Sequence, residues 1–283
     1  MISPAFSPPA AREAEALLGQ SLAAADAALA GAGPILRHLL GPSDPTLFSD
    51  RILAQTRAQI EDLARGLAQP AAAAVDLGER LAAEPGLLGH AHALALEAQL
   101  AERLAERLGL DPVTPPLLQA LIASPDPHAS ADAMLLLAAQ ARFGQWQRRG
   151  ELPLGELPDE LLRVARQIAP EPASVDFDHG TARLELLVRV AERLGAEALE
   201  LGQVGVALFV TALAAGSGLS RDAAILATAP SQGARLVLAL VACGASPEAA
   251  ERQLLALHPG AAVPEGIDAL PPERAAALLA GAR

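Results

Sequence analysis

ALFVTALAAGSGLSRDAAILAT (residues 207–228) aligns with ARLVLALVACGASPEAAERQLL (residues 234–255) after one deletion in the first turn. Each copy reads as an apolar helix, a glycine turn, a serine and a second helix. Ser220 and Ser246 hold matching positions, ahead of Arg221-Asp222 and Pro247-Glu248. A serine there offers its oxygen to the unpaired amides of the helix start, a proline suits the first helical position, and an acid favours the positive helix end. The unit is therefore a helical hairpin repeated every 26 residues, counted from serine to serine. Such hairpins cannot bury their apolar faces alone, so they stack. The first copy is interrupted at Ala229-Pro230, which shortens its second helix.

The rest of the 283-residue chain agrees with a helical reading. Hydrophobic residues make up 52%, but these are mostly Ala and Leu, with 2% aromatics and no Tyr. Ala, Leu, Arg and Glu favour helix, whereas sheets draw on Val, Ile, Thr and aromatics. We therefore expect an all-α protein of stacked antiparallel hairpins, about 12 to 14 short helices in number. The 33 acidic residues outnumber the 21 basic ones, all Arg, giving a formal charge of −12. A field of that sign opposes nucleic acid and anionic lipid.

Upstream, Ala11–Ala30 suggests an Ala-rich helix and 35–40 a short one. Ile52, Gln55/Thr56, Ile60, Leu63 and Leu67 form one face of a helix over 47–68, with Arg57, Glu61, Asp62 and Arg65 on the wet side. Glu61 and Arg65 are spaced to pair. Two helices follow, broken at Glu84-Pro85-Gly86, the second running over 87–108. Further helices are expected over 117–123, 131–149, 159–168 and 181–194, the last with a stripe of Leu184, Leu187, Val188 and Ala191. Prolines 153, 158, 170 and 172 mark a connector, so a boundary near residue 172 divides the chain into 1–172 and 173–283, with packing as one unit the alternative.

The run QVGVALFVTALAAGSGLSRDAAILAT, followed by LVLALVACGASPEAAERQLL, resembles the C-terminal part of an uncharacterised alphaproteobacterial family with HEAT-like helical hairpins, over about residues 185–260. The resemblance implies fold class only. It brings no activity and no site residues.

Several residue groups could carry chemistry. VDFDHG (175–180) holds Asp176, Asp178 and His179 within four residues. Such a set suits a hard metal or general-base work, yet it directly precedes a helix, where Asp178 or Thr181 serves as a cap. His90 and His92 lie two apart, so on a helix they point about 200° from each other and cannot grip one ion. Either could instead accept a phosphoryl group if it stood exposed on a bundle. RFGQWQRRG (142–150) combines Arg142, Arg148, Arg149, Phe143 and Trp146. Phe143 and Trp146, three apart, face the same way as a packing pair, and the arginines offer a partner surface. Cys243 is the single cysteine, set in an apolar run where a thiol packs as a small hydrophobe. Phosphate-binding loops, dinucleotide fingerprints and nucleophile elbows are all missing.

The N-terminus has prolines and early acids where a signal peptide needs a basic start, and no apolar run approaches the roughly 20 residues that span a bilayer. The expected product is cytoplasmic and non-catalytic, needs no cofactor or metal, and binds another protein as a regulatory adaptor through Trp146, Arg149 and Arg142. The alternative is an enzyme or small-ligand receptor with its pocket at Asp176, Asp178 and His179. The second alternative is histidine phosphotransfer through His90 or His92.

Overall fold

The computed structural model describes residues 16–20, 23, 47, 49–68, 74–169 and 183–281. Among them lie twelve α-helices of seven residues or more, joined by turns and four short 3-10 segments, and no strand. The first helix is α1 (Asp50–Leu67). Ser49 caps it, with Oγ accepting from Ile52 N–H at 3.4 Å. Its buried side carries Ile52, Thr56, Ile60, Leu63 and Leu67, the face anticipated from spacing. The ion pair on its wet side is Arg65 with Asp62 at 3.2 Å, not with Glu61.

After α2 (Ala74–Ala82) comes α3 (Pro85–Leu108), which starts at a proline and stops at Gly109 in the left-handed region. Next are α4 (Pro116–Ile122) and α5 (Pro127–Arg149). At 24 and 23 residues, α3 and α5 match the helices expected over 87–108 and 131–149, each beginning a few residues earlier at a proline. From Ala91 to Glu97 every side chain of α3 is buried, so neighbours surround the helix there. At its other end Leu108 is exposed.

A 3-10 turn, Leu154–Glu156, leads to α6 (Asp159–Ile168). The C-terminal helices are α7 (Arg183–Leu194), α8 (Leu201–Ser217), α9 (Arg221–Ala227), α10 (Gly233–Ala242), α11 (Pro247–Leu257) and α12 (Pro272–Gly281). On α7 the buried residues are Arg183, Leu186, Leu187, Val190, Ala191 and Leu194, while Val188 is exposed. The true stripe is rotated from the expected one because a charged residue, Arg183, belongs to the buried face.

The two repeat copies form the anticipated hairpins. Ser220 Oγ accepts from Ala223 N–H at 3.1 Å, and Ser246 Oγ accepts from Ala249 N–H at 3.2 Å. Where α8 crosses α10, a Cβ on Gly216 would stand 2.6 Å from Cys243 Sγ, so only glycine permits this approach. Cys243 is half-buried, and burial pushes its thiol up to about 12. No single described helix is long and apolar enough to cross a membrane, and α8 and α9 meet at 111°.

Two apolar clusters organise the packing. The smaller joins α1, α2 and α6 to the start of α3 and to Phe143 of α5. The larger joins the second half of α3 with α4, α5 and α7 through α12, drawing on both sides of position 172. Between them, where α3, α5, α7 and α9 converge, the buried groups are charged.

Candidate functional site

Glu97 enters this junction from α3, in the otherwise apolar stretch ALALEAQL (93–100). Arg183, at the first position of α7 and 3% exposed, donates from Nη1 to Glu97 Oε1 at 3.1 Å and to Gln140 Oε1 at 3.0 Å. Its Nε donates to Glu156 Oε2 at 2.8 Å. The guanidinium also lies 3.5 Å from the centre of the Phe143 ring, a cation–π contact. On the other side, Arg221 Nη1 stands 2.8 Å from Glu97 Oε2, and its Nε donates to Thr211 Oγ1 at 3.2 Å. Burial alone would raise the Glu97 carboxyl, but Arg221 and Arg183 outweigh it and hold the group at about 2. Burial likewise opposes the charge on Arg183, and Glu156 and Glu97 overcome it, so its pKa is raised.

His90 extends the network. Its Nδ1 is 3.0 Å from both oxygens of Asp222 on α9, and its Nε2 is 3.0 Å from the carbonyl oxygen of Glu156. His92 faces another way, with Nδ1 3.5 Å from Thr56 Oγ1 of α1, and burial lowers it to about 4. The two imidazoles are 2% and 1% exposed. This removes the phosphotransfer reading, which needs a histidine in solvent.

Beside the network, between α3, α5 and the start of α8, lies a cavity of about 110 Å3. Its shape depends on a break in α8. Gly205 has φ 74° and ψ 173°, a region open essentially to glycine alone, and Pro115 packs alongside, 3.6 Å from where a Cβ would stand. The break turns Val206 and Ala207 into the cavity wall, opposite Gln140, Phe143 and Gly144 of α5. Gln147 closes one end and is held by two amides of α1, Gln55 and Gln59, whose Nε2 atoms donate to its Oε1 at 2.5 and 2.8 Å. A wider groove of about 550 Å3 runs between α1 and α2, lined by the buried Ile60 and Leu88, the half-buried Ala82, the exposed Val75, and Arg57, Glu61, Arg65 and Glu79.

The anticipated residues fall in three places. Asp176, Asp178 and His179 lie outside the described residues. Phe143 is buried and Trp146 half-buried, both against the smaller cluster. Arg142 and Arg149 are exposed on the outer side of α5, and Arg149 pairs with Glu151 at 3.5 Å. Among the described residues no group of three His, Cys, Asp or Glu side chains is placed to hold a metal ion. The residues missed by sequence reasoning are Glu97, Glu156, Arg183, Arg221 and Asp222. Only Glu97 left a local sign, a lone carboxylate between Leu96 and Leu100. No family model, curated protein or solved structure matches the chain.

Proposed function

We propose that this protein is a non-catalytic helical scaffold, HEAT-like in the stacking of its hairpins, that binds another protein through the outer face of α5. The observation that carries this reading is the exposure of Met134 and Leu135, each 51% open to solvent, on a helix otherwise docked by its opposite side. Ala131, Ala138, Arg142, Gln145 and Arg149 are also exposed at three- and four-residue spacing from them, so they share one face. The face is apolar in its first half and cationic in its second. It suits an amphipathic segment of a partner whose apolar residues end in acidic ones, with charge setting the register. Trp146 stands beside this face and roots it in the smaller cluster.

The test is capture by the purified chain carrying a photo-crosslinker at Gln145. A stoichiometric partner should be recovered, cross-linked through an acidic amphipathic segment. Capture should be lost in Met134→Glu/Leu135→Glu and weakened about tenfold or more in Arg142→Glu. Capture that persists in both variants would overturn the reading.

A further inference from the structure

The groove between α1 and α2 shares no residue with the charge network or with the outer face of α5, and its two walls differ in charge. On the α1 wall stand Arg57, Glu61 and Arg65, a net positive line at four-residue spacing. On the α2 wall the charged lining residue is Glu79. The apolar part of the lining comes from Ile60, Val75, Ala82 and Leu88. Val75, in the first turn of α2, is 77% exposed, the most open of the large apolar side chains among the described residues. Leu77 and Leu81 of the same helix are buried in the smaller cluster, so α2 is docked by one side and leaves Val75 in water on the other.

The walls are also in register. Where the helices touch, a Cβ on Gly78 would stand 3.7 Å from Ala64 Cβ. Arg65 and Glu79 each follow this contact by one residue, so they stand level with each other along the groove. Arg65 reaches back to Asp62 at 3.2 Å rather than across the groove, and keeps 65% of its side chain in solvent. A partner of one charge sign would be repelled by one of the two walls. A two-fold axis running along the groove instead exchanges the walls, so that the positive line of each copy lies on the negative wall of the other. The same rotation lays each Val75 against the opposite groove and takes it out of water.

We infer that this groove docks a second copy of the chain, forming a two-fold dimer closed by Val75 and by a reciprocal pair, Arg65 with the second copy's Glu79. The contact is about one helix pair wide, so the dimer is weak, with Kd in roughly the micromolar range. Because the groove and the α5 face have no residue in common, dimer formation and partner capture fail separately.

The deciding experiment is sedimentation equilibrium of the full chain at about 0.15 M salt, where the charge of −12 on each copy is screened beyond about 8 Å. The wild type should pass from monomer to dimer between about 10 and 100 μM. Val75→Arg should weaken the dimer by about tenfold or more. Arg65→Glu and Glu79→Arg each set like charges together twice per dimer, and each should weaken it by about tenfold or more. Mixed in equal amounts, these two variants should associate again to within about threefold of the wild type, because the mixed dimer restores opposite charges at both contacts. All three positions are exposed. Should a charge variant lose its helical circular dichroism, Val75→Arg and the wild type decide alone. A wild type that stays monomeric up to about 1 mM would overturn the inference. So would a dimer indifferent to Val75→Arg, or folded charge variants that stay monomeric when mixed.

Discussion

The hairpins of α8 to α11 and the junction of α3, α5, α7 and α9 are both deeply packed, yet they are held in opposite ways. The hairpins rest on apolar contact and on local ties, each serine bonding an amide three residues ahead. The junction rests on charged groups far apart in sequence: 27 residues separate Glu156 from Arg183, 86 separate Glu97 from Arg183, and 132 separate His90 from Asp222. A local tie can be lost without disturbing its neighbours. In the junction, removing one partner leaves the others buried and uncompensated, so each member is worth more by its absence than the bridge contributes by its presence.

The largest expected effect follows from that asymmetry. Arg183→Met should destabilise the chain by about 3–5 kcal/mol, because Glu156 loses its ion pair and Glu97 keeps only Arg221. Urea unfolding measures this directly. A loss under about 1 kcal/mol would place the junction in the same class as the hairpin caps and erase the contrast.

The same contrast explains what could be read from the sequence. Helix caps and turn glycines act within a few residues, so both hairpins, the α1 face and the break before Pro85 were visible as spacing. On α3 spacing was uninformative, since a helix buried on every side presents no polar stripe to reveal its orientation. Glu97 and His90 could be seen there, but their partners could not, because Arg183 and Asp222 arrive through tertiary packing. On α7 the apolar spacing pointed to Val188, whereas the ion pairs of Arg183 draw that side chain inward and bring Leu186 and Val190 with it. The Gly205 break that shapes the cavity lies in a run of apolar residues that reads as uninterrupted helix.

Acidification should act first where α3 meets α1, beside the charge network, and on the junction itself only lower down. His92 has an ordinary value of 6.5 and is lowered to about 4 by burial, so between these values the unfolded chain takes up a proton that the folded one refuses. Stability is thus complete above pH 6.5 and falls as pH drops toward 4, by up to about 3 kcal/mol from this group. Glu97 acts in the same direction lower down. Its carboxylate is held at about 2 against an ordinary 4.5, so its contribution is present above 4.5 and lost on approach to 2. Unfolding midpoints from pH 7.5 down to 4.5 should decline in the wild type and stay nearly level in His92→Phe, once that variant's own loss is subtracted. An equal slope in both would show that the decline arises elsewhere.

The smallest effect tests whether the two regions are truly separate, for they meet in three residues. Ser220 caps α9 locally, while the next two side chains, Arg221 and Asp222, tie the same turn to Glu97 and His90. At α11 the matching turn has Ser246, Pro247 and the exposed Glu248, with no comparable buried tie among the described residues. Ser246→Ala should therefore cost the usual cap value of about 1 kcal/mol, and Ser220→Ala less, since the distant bonds keep the start of α9 in place. In an Arg221→Gln background the Ser220 cap should regain its full value, giving a double-mutant coupling of about 0.5 kcal/mol or more. Strict additivity would mean that the junction grips α9 without supporting its helical start, leaving the repeated hairpin and the charge network as neighbours in space and strangers in energy.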